Sequence, residues 1–122
     1  TFILSATRET PRRLQDPRRR TIGIRISSHP YSQALFETHG GALLSSTLIN
    51  DAIDLPYSDP AEIAGALGHT LDAVVDAGSI GIEMTTIIDL TGTVPSLIRA
   101  GKGDVSRVPD PGQIGSIWNK SS

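Results

Sequence analysis

The run Thr21-Ile22-Gly23-Ile24-Arg25-Ile26 constrains the fold of this chain more than any other stretch. Strict alternation, with isoleucine at every second position, has the two-residue period of a strand and not the 3.6-residue period of a helix. It assigns Ile22, Ile24 and Ile26 to one face, against a core, and Thr21, Gly23 and Arg25 to the other. A guanidinium mounted on a strand is held rigidly enough to grip a carboxylate or phosphate with two parallel hydrogen bonds, and the Thr21 hydroxyl can add a neutral one. On these six residues alone, a solvent-facing arginine on a half-exposed strand is the competing assignment.

The remaining periodicities place this strand in an α/β chain. Thr1 to Leu4 reads as a strand that is already apolar at its first residues, as the middle of a sheet would be, so the chain is expected to be a fragment. Residues 10–20, punctuated by Pro11 and Pro17, read as a loop with at most one helical turn. Pro30 opens a short amphipathic helix that Gly40 closes, and Pro60, after the caps Ser58 and Asp59, opens a second that ends at Gly68. Leu71–Asp76, Thr85–Leu90 and Ser96–Arg99 read as strands, with a glycine turn over 77–81. Between the helices, residues 42–49 are apolar except for three consecutive hydroxyls, Ser45-Ser46-Thr47. Buried hydroxyls need partners, so this stretch either reaches a polar ligand or frays into exposed loop. The order implies a mixed sheet with flanking helices.

At 122 residues the chain is at most one small domain. Five aromatics make its core mainly aliphatic, and the absence of cysteine removes disulfide, zinc-ribbon and thiol chemistry. His29, His39 and His69 form no metal-ligand spacing, so no metal site is expected. No apolar run approaches the ~20 residues of a membrane span and no leader pattern is present, so a soluble, cytoplasmic protein with no membrane partner is expected.

Charge is distributed unevenly. Residues 1–25 hold seven arginines against two acids, whereas residues 26–122 hold four basic residues against eleven acids. Arg12, Arg13, Arg18, Arg19 and Arg20 could neutralise the phosphates of a polyanion, although no aromatic is interleaved for base stacking. The alternative is a charged, solvated loop.

Several segments, in order, carry a resemblance: Thr1-Phe2-Ile3-Leu4, Thr21-Ile22-Gly23-Ile24-Arg25, His29-Pro30, Ser45-Ser46-Thr47, Thr85-Thr86-Ile87-Ile88-Asp89 and Arg99-Ala100-Gly101. Together they resemble the YrdC-type threonylcarbamoyl-adenylate synthase family from Thr1 to about Val105, with Pro11-Arg12-Arg13-Leu14 and Leu48-Ile49 closer to its YciO-like branch. The resemblance implies a twisted mixed α/β sheet truncated at its N-terminal side, over residues 1–105, followed by a weakly ordered tail over 106–122. It implies a site for L-threonine, bicarbonate and ATP, with Mg2+ accompanying the ATP and no prosthetic group. Threonylcarbamoyl-AMP and pyrophosphate would be the products, the former serving threonylcarbamoyladenosine modification of tRNA. By similarity, Arg25 and Thr85 would hold threonine, and Thr21, Ser45, Thr47 and Arg99 the nucleotide. Double-stranded RNA or tRNA would meet Arg12, Arg13 and Arg18–Arg20. No residue of this chain is assigned as a protein nucleophile or other catalytic group.

Two departures matter. The lysine-arginine motif that the family carries ahead of the position of Thr1 is not in this sequence, so the chain alone is expected to be inactive. Where synthases have serine-alanine-asparagine, this chain has Thr47-Leu48-Ile49, which removes an amide. The alternative is a double-stranded RNA-binding module of the same fold without synthase activity. A carbamoyl-transfer domain of hydrogenase maturation is a weaker third reading, because its usual cysteine-bearing neighbours are not here.

Overall fold

The computed structural model describes residues 1–108. Contacts divide the chain into two compact units, one made of Thr1–Ile26 with the chain from Glu83 onward, the other of Ser27–Ile82.

The first unit is built on a four-stranded mixed sheet. Its strands are β1 (Phe2–Ser5), β2 (Thr21–Ile24), β5 (Ile87–Asp89) and β6 (Ser96–Arg99), in the order β2-β1-β5-β6. β1 pairs antiparallel with β2, from Phe2 opposite Ile24 to Ser5 opposite Thr21. On its other side β1 runs parallel to β5, with Phe2 beside Ile88 and Ile3 beside Asp89. β6 closes the sheet antiparallel to β5, with a register shift between Ile87 and Ile88. The basic connection between β1 and β2 contains one 3-10 turn, Arg12–Leu14, as Pro11 and Pro17 lead one to expect.

The second unit holds both helices and a two-stranded ribbon. Helix α1 (Pro30–His39) starts on a proline, whose missing N–H is no loss in a first turn. It stops at Gly40, which takes the left-handed conformation at φ 74°. Helix α2 (Pro60–Leu67) repeats the proline start, and the Asp59 carboxylate accepts the N–H of Ala61 at 2.8 Å. The ribbon pairs β3 (Ile49–Asn50) with β4 (Leu55–Pro56).

Two strand expectations change, and the alternatives left open for 42–49 resolve to exposed loop. β2 ends at Ile24, so Arg25 and Ile26 follow the strand, and Ile24 and Ile26 are 43% and 75% exposed where the alternation puts them on a core. The apolar run 42–49 contributes only Ile49 to a ladder, and Ser45-Ser46-Thr47 lie on exposed irregular chain. Leu71–Asp76 forms no strand. The backbone instead closes locally there, with the N–H groups of Thr70 and Leu71 both donating to the Leu67 carbonyl and the Gly78 N–H donating to Asp76. An apolar run becomes a strand only where a neighbouring strand offers its hydrogen bonds. The tail expected over 106–122 lies outside the described residues beyond residue 108.

Side-chain burial is shallow. Among the described residues no apolar side chain is fully buried, and seventeen large ones are exposed. The buried residue is polar, Thr86 at 5% exposure.

Candidate functional site

Strand register assembles the site at one end of the sheet. Phe2 lies between Ile24 and Ile88. One step toward the chain start, the Thr1 carbonyl accepts the Ile88 N–H at 3.0 Å, Ile87 pairs with Arg99, and Arg25 follows the last residue of β2. Strand order and direction therefore set Arg25 and Arg99 at the same end of the sheet, at its two opposite edges. Three strand spacings separate their backbones by about 14 Å.

Arg99 is held firmly. Its Nε–H donates to the Thr85 carbonyl at 3.0 Å, one terminal nitrogen donates to the Thr85 hydroxyl at 3.4 Å, and the other reaches the Met84 sulfur at 3.5 Å. The Thr85 hydroxyl also meets that of Thr1 at 3.1 Å. Arg99 and Thr85 thus form one unit, with guanidinium and hydroxyl fixed before any ligand arrives. Arg25 is exposed.

Beneath this unit the chain is locked by Thr86. Its hydroxyl donates to the Gly103 carbonyl at 2.9 Å and accepts the Gly101 N–H at 3.1 Å, stitching the segment after β6 to the entry of β5. A Cβ on Gly101 would sit 2.1 Å from the Met84 carbonyl oxygen, so only glycine permits this approach. Sequence reasoning singled out Thr85 and Arg99 and passed over Thr86. A signal was available: two adjacent threonines in extended chain point to opposite faces, so one of them must turn inward.

The other sequence-derived candidates are dispersed. Thr21 pairs with Ser5 at the far end of β2, roughly 14 Å along the strand from Arg25, and its carbonyl accepts the Asp16 N–H. Ser45 and Thr47 belong to the second unit, exposed on irregular chain, with the Ser46 hydroxyl donating to the Thr47 carbonyl. Ile49 pairs with Pro56.

The arginine-rich loop is exposed at Arg12, Arg13, Arg18, Arg19 and Arg20. Asp16 organises it by accepting the N–H groups of Arg18 and Arg19 at 2.9 and 2.8 Å. The Arg19 N–H and then the Arg18 N–H hold this carboxyl below its ordinary range. Asp89 is lowered in the same way by the Thr91 hydroxyl and N–H, with a smaller pull from Arg19, and Asp104 by the Ser106 N–H and hydroxyl.

The family model described as Sua5/YciO/YrdC, telomere recombination, matches residues 1–101. The uncharacterized protein YciO of Escherichia coli K12 is 44% identical over 105 residues, covering 86% of this chain and 51% of that protein. The threonylcarbamoyl-AMP synthase of Halorhodospira halophila is 34% identical over 88 residues, covering 72% of this chain and 45% of the synthase. The crystal structure of E. coli YciO superposes with a TM-score of 0.78 at 43% identity, over 86% of this chain and 51% of that one. The chain spans about half the length of these relatives, and the mixed sheet agrees with a YrdC-like fold. With its model matched from Thr1 to Gly101, the chain belongs to the Sua5/YciO/YrdC family.

Proposed function

We propose that this chain carries the threonine- and phosphate-binding part of a site that forms L-threonylcarbamoyladenylate. The observation that carries the reading is the hydrogen-bonded Thr85–Arg99 unit at the end of the sheet where Arg25 also emerges from β2. In the reaction, the threonine amine takes up bicarbonate with loss of water. The resulting carbamate oxygen attacks the α-phosphorus of ATP, and pyrophosphate leaves.

Such a reaction asks the protein to position two anions and to screen phosphate charge, with no protein nucleophile required. Arg25 suits the threonine carboxylate, because a fork of donors grips a planar anion. Arg99, already immobilised by Thr85, suits the phosphates, since little side-chain entropy is left to lose on binding. Thr85 supplies a hydroxyl beside Arg99. No group of three or more His, Asp or Glu side chains that could hold a metal ion occurs among the described residues, so Mg2+ enters this reading with the ATP. The product would serve tRNA threonylcarbamoyladenosine formation in the cytoplasm.

The exposed Arg12, Arg13 and Arg18–Arg20 favour one further reading, a surface for double-stranded RNA or tRNA. The deciding assay follows threonylcarbamoyl-AMP by mass spectrometry. The chain is supplied with threonine, bicarbonate, ATP and Mg2+, alone and joined to the part of E. coli YciO that it does not match. Product from the joined protein, lost on Arg99→Ala, supports the synthase reading. A folded joined protein that binds RNA and forms no product favours the RNA module.

A further inference from the structure

The β1–β2 connection lines an open cleft of about 520 Å3. Register puts it at the Ser5–Thr21 end of the hairpin, away from the end that carries Arg25 and Arg99. Its walls bring Arg8, Arg12 and Arg20 together with Thr7, Thr10 and Gln15. The frame is hydrogen bonded throughout. The Gln15 side-chain amide donates to the Thr10 carbonyl at 2.6 Å, the Thr7 N–H to the Thr10 hydroxyl at 3.1 Å, and the Ala6 N–H to the Arg20 carbonyl at 2.8 Å. The carboxylate on the lining, Asp16, spends one oxygen on the N–H groups of Arg18 and Arg19. Arg20 is held at φ 55°, a conformation that non-glycine residues seldom adopt, and its N–H donates to the Asp16 carbonyl.

We infer that this cleft is a second, separate anion site that takes a small polyphosphate group. Three guanidinium groups around one concavity supply the donors that phosphate oxygens need, and their charge exceeds that of the single acid. The volume falls within the roughly 300–1,000 Å3 of small-ligand sites and exceeds what one phosphate fills. No aromatic side chain is on the lining, so the cleft offers nothing for a nucleobase to stack on. Arg13 and Arg18, exposed on the same loop, are not on the lining.

The test is calorimetry with inorganic tripolyphosphate on the full chain at low salt, and in parallel with duplex RNA. Arg8→Ala and Arg12→Ala are each expected to weaken tripolyphosphate binding about tenfold, the order of a charge-assisted contact. Arg13→Ala removes the same charge from outside the lining and should change it less than twofold. Arg20→Gly suits the left-handed backbone, so it should fold at least as well as the parent while losing the ligand. Equal weakening by Arg13→Ala and Arg12→Ala would show a diffuse field and overturn the cleft site, as would binding to duplex RNA alone. Loss on Arg99→Ala with Arg8→Ala silent would place the anion at the other end of the sheet. That outcome would overturn this inference and leave the synthase reading standing.

Discussion

The two units carry the same kinds of candidate residue on different supports. In the first, Arg99 and Thr85 are fixed by strand pairing and by three contacts between them and Met84. In the second, Ser45 and Thr47 sit on exposed chain outside any ladder. The second unit also carries eleven of the seventeen exposed large hydrophobics, among them Leu44 at 87% and Val75 at 66%. A site is only as well placed as the backbone beneath it. The first unit holds the Arg99 guanidinium and the Thr85 hydroxyl in fixed positions, whereas Ser45 and Thr47 in the second have no strand beneath them.

Glycine substitutions test this contrast with the largest effect. Gly101→Ala forces a methyl group into the Met84 carbonyl and is expected to cost about 3 kcal/mol in the first unit, read by denaturant unfolding. Gly40→Ala in the second unit meets no atom within 4 Å and costs only the left-handed conformation, about 1 kcal/mol. Equal losses would break the comparison.

Thr86→Val comes next. It removes a buried hydroxyl that serves both Gly101 and Gly103, so roughly 2 kcal/mol should be lost and the Gly101 amide should exchange faster with solvent. Unaltered exchange at Gly101 would remove Thr86 as the lock. In the second unit, Asp59→Ala deletes the cap of α2 and should cost about 1 kcal/mol, with the loss of order centred on the first turn of that helix.

Acidification gives the smallest and most local effect. Asp16, Asp89 and Asp104, all in the first unit, are held below the ordinary carboxylate range by hydrogen bonds to the ionised form. A carboxyl lowered in the folded state stabilises that state above its unfolded pKa, near 3.9, and loses the contribution as pH falls through the lowered value. The amide resonances of Arg19, Thr91 and Ser106 should therefore hold steady to about pH 4 and move below it. Movement between pH 5 and 7 would contradict the hydrogen bonds assigned to these carboxylates.

Legibility followed local chemistry. Both helices could be read from the sequence, because proline starts, the Asp59 cap and the Gly40 stop act over a single turn. The strands of the first unit were visible in alternation and in β-branched residues. Leu71–Asp76 misled because apolar content cannot announce whether a partner strand exists. Arg25, Thr85 and Arg99 were singled out through alternation and family resemblance, and strand order sets Arg25 and Arg99 at the same end of the sheet. The lock made by Thr86 and Gly101 stayed hidden, since it depends on a return of the chain 15 residues later.

The most direct test of the threonine-binding reading is threonine titrated calorimetrically, with ATP present, into the chain joined to the part of E. coli YciO that it does not match. Arg25→Ala should lose about 2 kcal/mol of threonine binding, roughly thirtyfold, and Arg25→Lys should recover only part of it, because an ammonium keeps the charge and loses the fork. Threonine bound equally well by the parent and by both variants would contradict Arg25 as the carboxylate ligand.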